Sequence, residues 1–232
     1  MTIIHDEEFG DINIRRNGLA KNVTIRVGTN GRFVVSAPKL TPLFYIKSVI
    51  ANSRHTLKEL ARESHSDHTY ADGQTVGREH TIAVVRTGMI SQPTVSVAKN
   101  TIIVKLRPDD SIDNREIQTN IREAIITVLR REAKRYLPDR LALLAERGHF
   151  SYDRVRFSHA AGRWGSCSSR GTISLNIALM KLPTILIDYV LIHELCHTRH
   201  LNHSPAFWEL VGKYDDQYRL HRRQVKRFTP NV

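Results

Sequence analysis

Only two cysteines occur in the 232 residues, Cys167 and Cys196. So few thiols build no disulfide framework and fit a reducing compartment, so the expected location is cytoplasmic. Long hydrophobic runs are also missing. The most apolar stretch, residues 184–192, is interrupted by Asp188 and falls well short of the ~20 residues that cross a bilayer, so no membrane partner is expected. The first ten residues, MTIIHDEEFG, are acidic and lack the basic-then-apolar layout of a signal peptide. Internal repeats and low-complexity tracts are absent as well. What is present is ordinary globular composition, with 41% hydrophobic and 25% charged residues. The length suffices for one large domain or two small ones without covalent staples.

The charge is lopsided: 35 Lys and Arg against 23 Asp and Glu give a net +12 and a pI near 10.0. Most of it is dispersed. The one dense run is RLHRRQVKR at 219–227, which contains Arg219, Arg222, Arg223, Lys226 and Arg227. A solvated helix face is the plain reading of such a run; nucleic acid or a nucleotide is the alternative partner, because cations release counterions from phosphates.

Along the chain, Asn13–Arg16, Val23–Val27 and Phe33–Ala37 read as short strands, the last two joined by the turn residues Gly28-Thr29-Asn30-Gly31. Thr41-Pro42 opens a helix expected to reach about Glu63. After a turn at Ala71-Asp72-Gly73, strands are expected at Thr81–Arg86, Thr94–Ala98 and Thr101–Leu106. The pattern changes near Asp109. Asp113 and Glu116 resemble a capping box, and Ile117, Ile121, Ala124, Ile125, Val128 and Leu129 form one helical stripe that Pro138 should kink or split. Val155–Ser158 and Thr172–Asn176 read as strands, Thr184–Arg199 as a helix, and Pro205 to about Arg227 as another. The expected fold class is α+β: a β-rich region with one helix at 1–110, then an α+β domain at 111–232.

The chemistry concentrates at His193-Glu194-Leu195-Cys196-His197. Helix positions i and i+4 lie about 40° apart and one turn along the axis, so His193 and His197 point two imidazoles at one cation. Glu194 lies about 100° round from His193, placed to reach a water on the metal without ligating it. Two nitrogen ligands and a carboxylate base are the HExxH arrangement of zinc hydrolases. The preceding turns (Ile185, Leu186, Ile187, Val190, Leu191, Ile192) are apolar nearly all round, and burying three polar side chains beside them is costly unless they are paired or metal-bound. A third ligand is needed. His203 follows six residues after His197, past an expected left-handed turn at Asn202; His200 and Glu209 compete for the role.

Four segments resemble the YgjP-like metallopeptidase family, of the zincin clan with the SprT-like and WLM proteases: Arg163-Trp164-Gly165-Ser166-Cys167, Gly171–Asn176, Asp188-Tyr189-Val190 running into HELCH, and Asn202–Trp208. The resemblance implies a minimal zincin-like metalloprotease domain in the second half, with His193, His197 and His203 as ligands of one zinc ion. It implies Glu194 as the catalytic base in peptide-bond hydrolysis. It also implies that the Thr172–Asn176 strand is an edge strand pairing with extended substrate, which makes Thr172, Ser174 and Asn176 candidate substrate contacts. Arg163, Tyr189 and Asn176 are candidates for stabilising the oxyanion. Trp164, Phe207, Trp208 and the buried Cys196 read as packing. The alternatives are hydrolysis of another bond, such as a nucleotide phosphoanhydride, and a nucleic-acid-associated protease of the SprT kind.

Overall fold

The computed structural model describes residues 2–6, 8–18, 20, 22–27, 33–57, 69–159 and 162–232. The chain divides into two compact units, Met1–Thr69 and Tyr70–Val232.

In the first unit, β1 (Thr2–Asp6), β2 (Gly10–Asn17), β3 (Thr24–Val27) and β4 (Phe33–Pro38) form one sheet in the order β1-β2-β4-β3. Strands β2 and β4 are parallel and the outer pairs antiparallel. Helix α1 (Leu43–Asn52) contributes Ile46 and Ile50 to a core with Ile12, Ile14, Phe33, Val35 and Ala37. The expected strands are present, β2 and β4 longer than expected and β3 starting one residue later, and β1 is an addition. The helix stops at Asn52, short of the expected Glu63, with Ser53 as its C-cap; the 28–31 turn and residues 58–63 lie outside the described residues.

The second unit begins with β5 (Thr75–Val76), β6 (His80–Arg86), β7 (Thr94–Ala98) and β8 (Thr101–Leu106), ordered β5-β6-β8-β7. Gly73 takes the left-handed conformation (φ +74) in the turn expected at 71–73. Helix α2 (Arg115–Gly148) runs for 34 residues and keeps going through Pro138, where a kink or break was expected. Buried residues on both sides of the proline, from Ile117 to Ala145, hold the two halves on one core, and tertiary packing outweighs the lost hydrogen bond. The cap is one residue later than expected: the Asn114 side chain, rather than that of Asp113, accepts from Glu116 N–H at 2.9 Å. Because α2 packs against β7 and β8 as well as against the elements that follow, the change of pattern near Asp109 falls inside this unit; its boundary lies at 69/70.

One polar contact fastens the β5–β6 turn to α2. The buried Glu132 carboxylate accepts from the N–H groups of Arg78 (2.8 Å) and Glu79 (3.3 Å) and from His80 Nδ1 (2.6 Å). Gly77 (φ +63) crosses so close to Glu132 that a Cβ there would overlap its carboxylate.

A three-stranded sheet follows: β9 (Arg154–Ser158), β10 (Gly165–Cys167) and β11 (Thr172–Asn176), ordered β10-β11-β9. Strand β11 pairs antiparallel with β10 and parallel with β9. A 3-10 turn at Ile177–Lys181 leads into α3 (Thr184–Cys196), then α4 (Pro205–Tyr214) and α5 (Tyr218–Val225). The single helix expected over 205–227 is two, interrupted at Asp215-Asp216-Gln217. No described helix is long and apolar enough to cross a membrane.

Candidate metal centre

Helix α3 carries the HELCH residues, and its apolar surround is buried, with Leu186, Ile187, Val190, Leu191, Ile192 and Leu195 in the core; Ile185, expected among them, is exposed. Two contacts tie it to α2 and set its direction. Asp188 receives both arms of the Arg140 guanidinium, at 2.7 and 2.5 Å. Beyond its C-terminus, Arg199 donates to the carbonyls of Gly148 (3.1 Å) and His149 (2.6 Å), which also caps the orphan carbonyls ending α2. The helix stops at Cys196, three residues earlier than expected, because the chain tightens: Thr198 N–H donates to Leu195 O and Arg199 N–H to Cys196 O. Asn202 takes no left-handed turn; among the described non-glycine residues only Lys99 and His149 have positive φ.

The tightening returns the chain over α3 and brings His203 beside His193, their Nε2 atoms 3.1 Å apart. Ligand atoms of His193, His197 and His203 all lie within 4.8 Å of one another. Two nitrogens on one tetrahedral zinc, at Zn–N of about 2.0–2.1 Å, stand roughly 3.3 Å apart, so small movements complete the set. His200 stays out of the cluster and serves through its backbone: its carbonyl lies 2.9 Å from His197 Nδ1, so Nδ1–H donates to it and Nε2 is left free to ligate. Glu209 is exposed and outside the cluster. Phe207 lies fully buried beneath the imidazoles, its ring centroid 5.0, 4.5 and 4.9 Å from those of His193, His197 and His203. Ser204, whose hydroxyl accepts from Phe207 N–H, and Pro205 start the helix that holds this ring.

Two buried side-chain polar atoms among the described residues lack a hydrogen-bond partner, and both belong here: His193 Nδ1 and Glu194 Oε2. Burial, reinforced by His197 and His203, drives the His193 pKa down to about 3, leaving the neutral imidazole that a metal requires. Burial pushes Glu194 up to about 8, while the neighbouring Arg163 guanidinium pulls in the other direction. An unpartnered buried carboxyl costs about 1–3 kcal/mol or more, so this site is shaped for something besides stability. Three imidazoles with an adjoining carboxyl form the kind of donor set a catalytic zinc uses.

Residues 21–228 match the model of a protein family described as YgjP-like, metallopeptidase domain. The chain belongs to the YgjP-like metallopeptidase family. Its reaction class is therefore hydrolysis with a metal, and the α+β fold expected from the sequence is the one found. The crystal structure of the metallopeptidase zymogen of Pyrococcus abyssi abylysin is similar over 39% of this chain and 93% of its own, at 26% identity and a TM-score of 0.36. A comparison with curated proteins gives no match.

Three of the four YgjP-like segments meet around the histidine cluster, and the fourth, Gly171–Asn176, is joined to them through β10. Strand β11 is no edge strand: it lies between β10 and β9, so both its backbone edges are occupied and Thr172 and Ser174 cannot pair with substrate. Asn176 is also spent. Its buried side chain caps the 3-10 turn through Ala178 N–H and donates to the carbonyls of Arg163 and Pro230. The edge belongs to β10. Asn176 N–H donates to Trp164 O and Ser168 N–H to Thr172 O, so positions 164, 166 and 168 bond to β11, and the backbone groups of Gly165 and Cys167 face outward.

Gly165 also meets Glu194. A Cβ there would lie 2.6 Å from Glu194 Oε1 and 2.8 Å from its Cδ and Cγ, so only glycine lets β10 pass this close. A lone glycine in a strand is the sequence signal for such an approach. Tyr189, a candidate for the oxyanion, is buried in the core with its ring 6.0 Å from that of His193, and burial raises its pKa to about 12. The basic run at 219–227 proves divided. His221 and Val225 turn inward, with His221 Nδ1 on the Asp215 carboxylate at 2.8 Å, while Arg219 lies over Tyr218 and Arg222 over Trp208.

Proposed function

We propose that this chain hydrolyses peptide bonds, with one zinc ion held by His193, His197 and His203 and Glu194 as the proton carrier. The observation that carries the reading is the convergence of three imidazoles beside a buried carboxyl that has no other partner. When bound, zinc supplies Lewis acidity, polarising the substrate carbonyl and easing ionisation of a water at neutral pH. Glu194 takes the proton of the attacking water and returns it to the leaving amine. Its burial against Gly165 fixes the carboxyl position and keeps bulk water from competing. Arg163 tempers that burial by favouring the carboxylate form.

An extended substrate segment adds a strand to the open edge of β10, bonding to the backbone groups of Gly165 and Cys167. That places a peptide carbonyl beside Glu194, since Gly165 is the residue against which Glu194 packs. The experiment is Glu194→Gln on zinc-loaded protein with an unfolded protein as substrate. Zinc content and fold should be retained while kcat falls by about 10²–10⁴-fold. Near-wild-type turnover in a metal-replete Gln variant removes Glu194 from this role.

A further inference from the structure

We propose that Arg222 contacts the substrate, donating hydrogen bonds to the carbonyl oxygen of the bond being cut from the flank of the metal site opposite Glu194. This rests on the peptidase reading above and assigns the residue that stabilises the oxyanion.

The geometry begins with Trp208. Its ring is stacked on His203, with centroids 5.5 Å apart and planes inclined by 19°, and lies 5.8 Å from His193. The Arg222 guanidinium carbon stands 4.4 Å from the indole centroid. A guanidinium on an indole face keeps its N–H groups free around its rim while the ring fixes its plane. The group is exposed, and no carboxylate or other hydrogen-bonding partner engages it among the described residues. Asp215, a carboxylate on the same segment, is bound to His221 instead, at 3.0 and 2.8 Å. The Arg222 charge also acts on both His193 and Tyr189.

The side of approach follows from the helix. Tyr189 lies about 40° from His193 in one sense around α3 and Glu194 about 100° in the other. The base occupies one flank of the site, and Tyr189 with Arg222 occupies the other. Water attacking from the Glu194 side forms the new C–O bond and gives its proton to Glu194. The π electron pair of the carbonyl moves onto its oxygen, facing Arg222. On collapse the pair returns, the C–N bond breaks, and the Glu194 proton goes to the amine. Arg222 therefore meets more charge in the transition state than in the bound substrate, which is the condition for raising kcat rather than lowering KM.

The test uses zinc-loaded full-length protein with Arg222→Met and Arg222→Lys, and Arg223→Met as an equal loss of charge one residue away. Two readouts are needed: steady-state kinetics on an unfolded protein, and calorimetric titration with a phosphinic peptide, whose tetrahedral anion mimics the oxyanion. Arg222→Met should lower kcat about 10²–10³-fold with KM little changed, and weaken the phosphinic peptide by a similar factor. Lysine should restore part of both, and zinc content should not change. Arg223→Met should behave as wild type. A rise in KM alone, equal phosphinic-peptide affinity in wild type and Arg222→Met, or no such binding to wild type overturns the proposal. A wild type that binds the phosphinic peptide through Arg222 but cuts no peptide sinks the peptidase reading and leaves Arg222 standing.

Discussion

Gly165→Ala is the most demanding perturbation of the site, because it adds a single methyl group and removes nothing. The new carbon would sit 2.6 Å from Glu194 Oε1 and 2.8 Å from Cγ and Cδ, where ordinary contact needs roughly 3.4 Å or more. Glu194 is 4% exposed on a helix buried nearly all round, and β10 is bonded along one side to β11, so neither can yield freely. Relief requires a shift of roughly 0.6–0.8 Å, shared between the carboxyl and the strand. Overpacking of this order costs about 1–3 kcal/mol, or roughly 2–4 °C of Tm per kcal/mol in a unit of this size. Displacing a reacting group by about 1 Å costs on the order of 10²-fold in rate. The expected result is thus a mild loss of Tm, unchanged zinc content, and kcat/KM on an unfolded protein reduced about 30- to 100-fold. A double-mutant cycle with Glu194→Gln locates the effect: if the methyl acts by moving the carboxyl, it costs little further activity once the carboxyl is gone. Activity of Gly165→Ala within about threefold of wild type would refute the packing argument. So would an equal loss in both backgrounds.

Metal analysis should find about one zinc per chain. His203→Ala should lose most of it and His200→Ala should keep it, since His200 contributes a carbonyl that alanine also has; the reverse ranking overturns the ligand set. Glu132→Ala strips the β5–β6 turn of the acceptor for two backbone N–H groups and His80, all distant in sequence from α2. Breaking such a buried pair costs about 3–5 kcal/mol, so thermal unfolding should move down on the order of 6–20 °C; a shift under about 2 °C would show that the turn is held by other contacts.

The parts of the site whose arrangement was legible in the sequence are those in which chemistry and helix periodicity coincide. His193, Glu194 and His197 lie within five residues on one helix, so their relation depends only on 3.6 residues per turn. His203 lies past the helix end, and its place depended on how the chain turned. The expected device, a left-handed asparagine, was replaced by a tight turn at 197–200 capped by Thr198 Oγ1 on Leu195 O (2.7 Å). The histidine arrived at the same place because a few residues of reversal from a fixed helix end reach only a small volume. Strand order is different in kind. The alternation of Ile173 and Leu175 with Thr172 and Ser174 correctly marked a strand with one buried face, yet periodicity says nothing about which neighbours occupy its edges. The three-residue β10, too short for a pattern of its own, took the edge that β11 was expected to hold.

The boundary between units was hidden for a related reason. A change from β-rich to helical composition marks where local preference changes, whereas a compact unit is defined by what shares a core. Strands β5–β8 keep their hydrophobic side on α2, so Ile82, Ile102 and Val104 belong with Ile121 and Leu129 although the composition changes between them. The same logic accounts for Arg222. In sequence it is one of five cations in nine residues, and uniform charge invites a uniform reading as a polyanion-binding face. Folding distributes those side chains around a short helix whose inner face carries His221 and Val225, so each cation meets a different surface. One of them lies on the indole stacked on His203, and that neighbour, rather than its share of the net charge, determines what it can do.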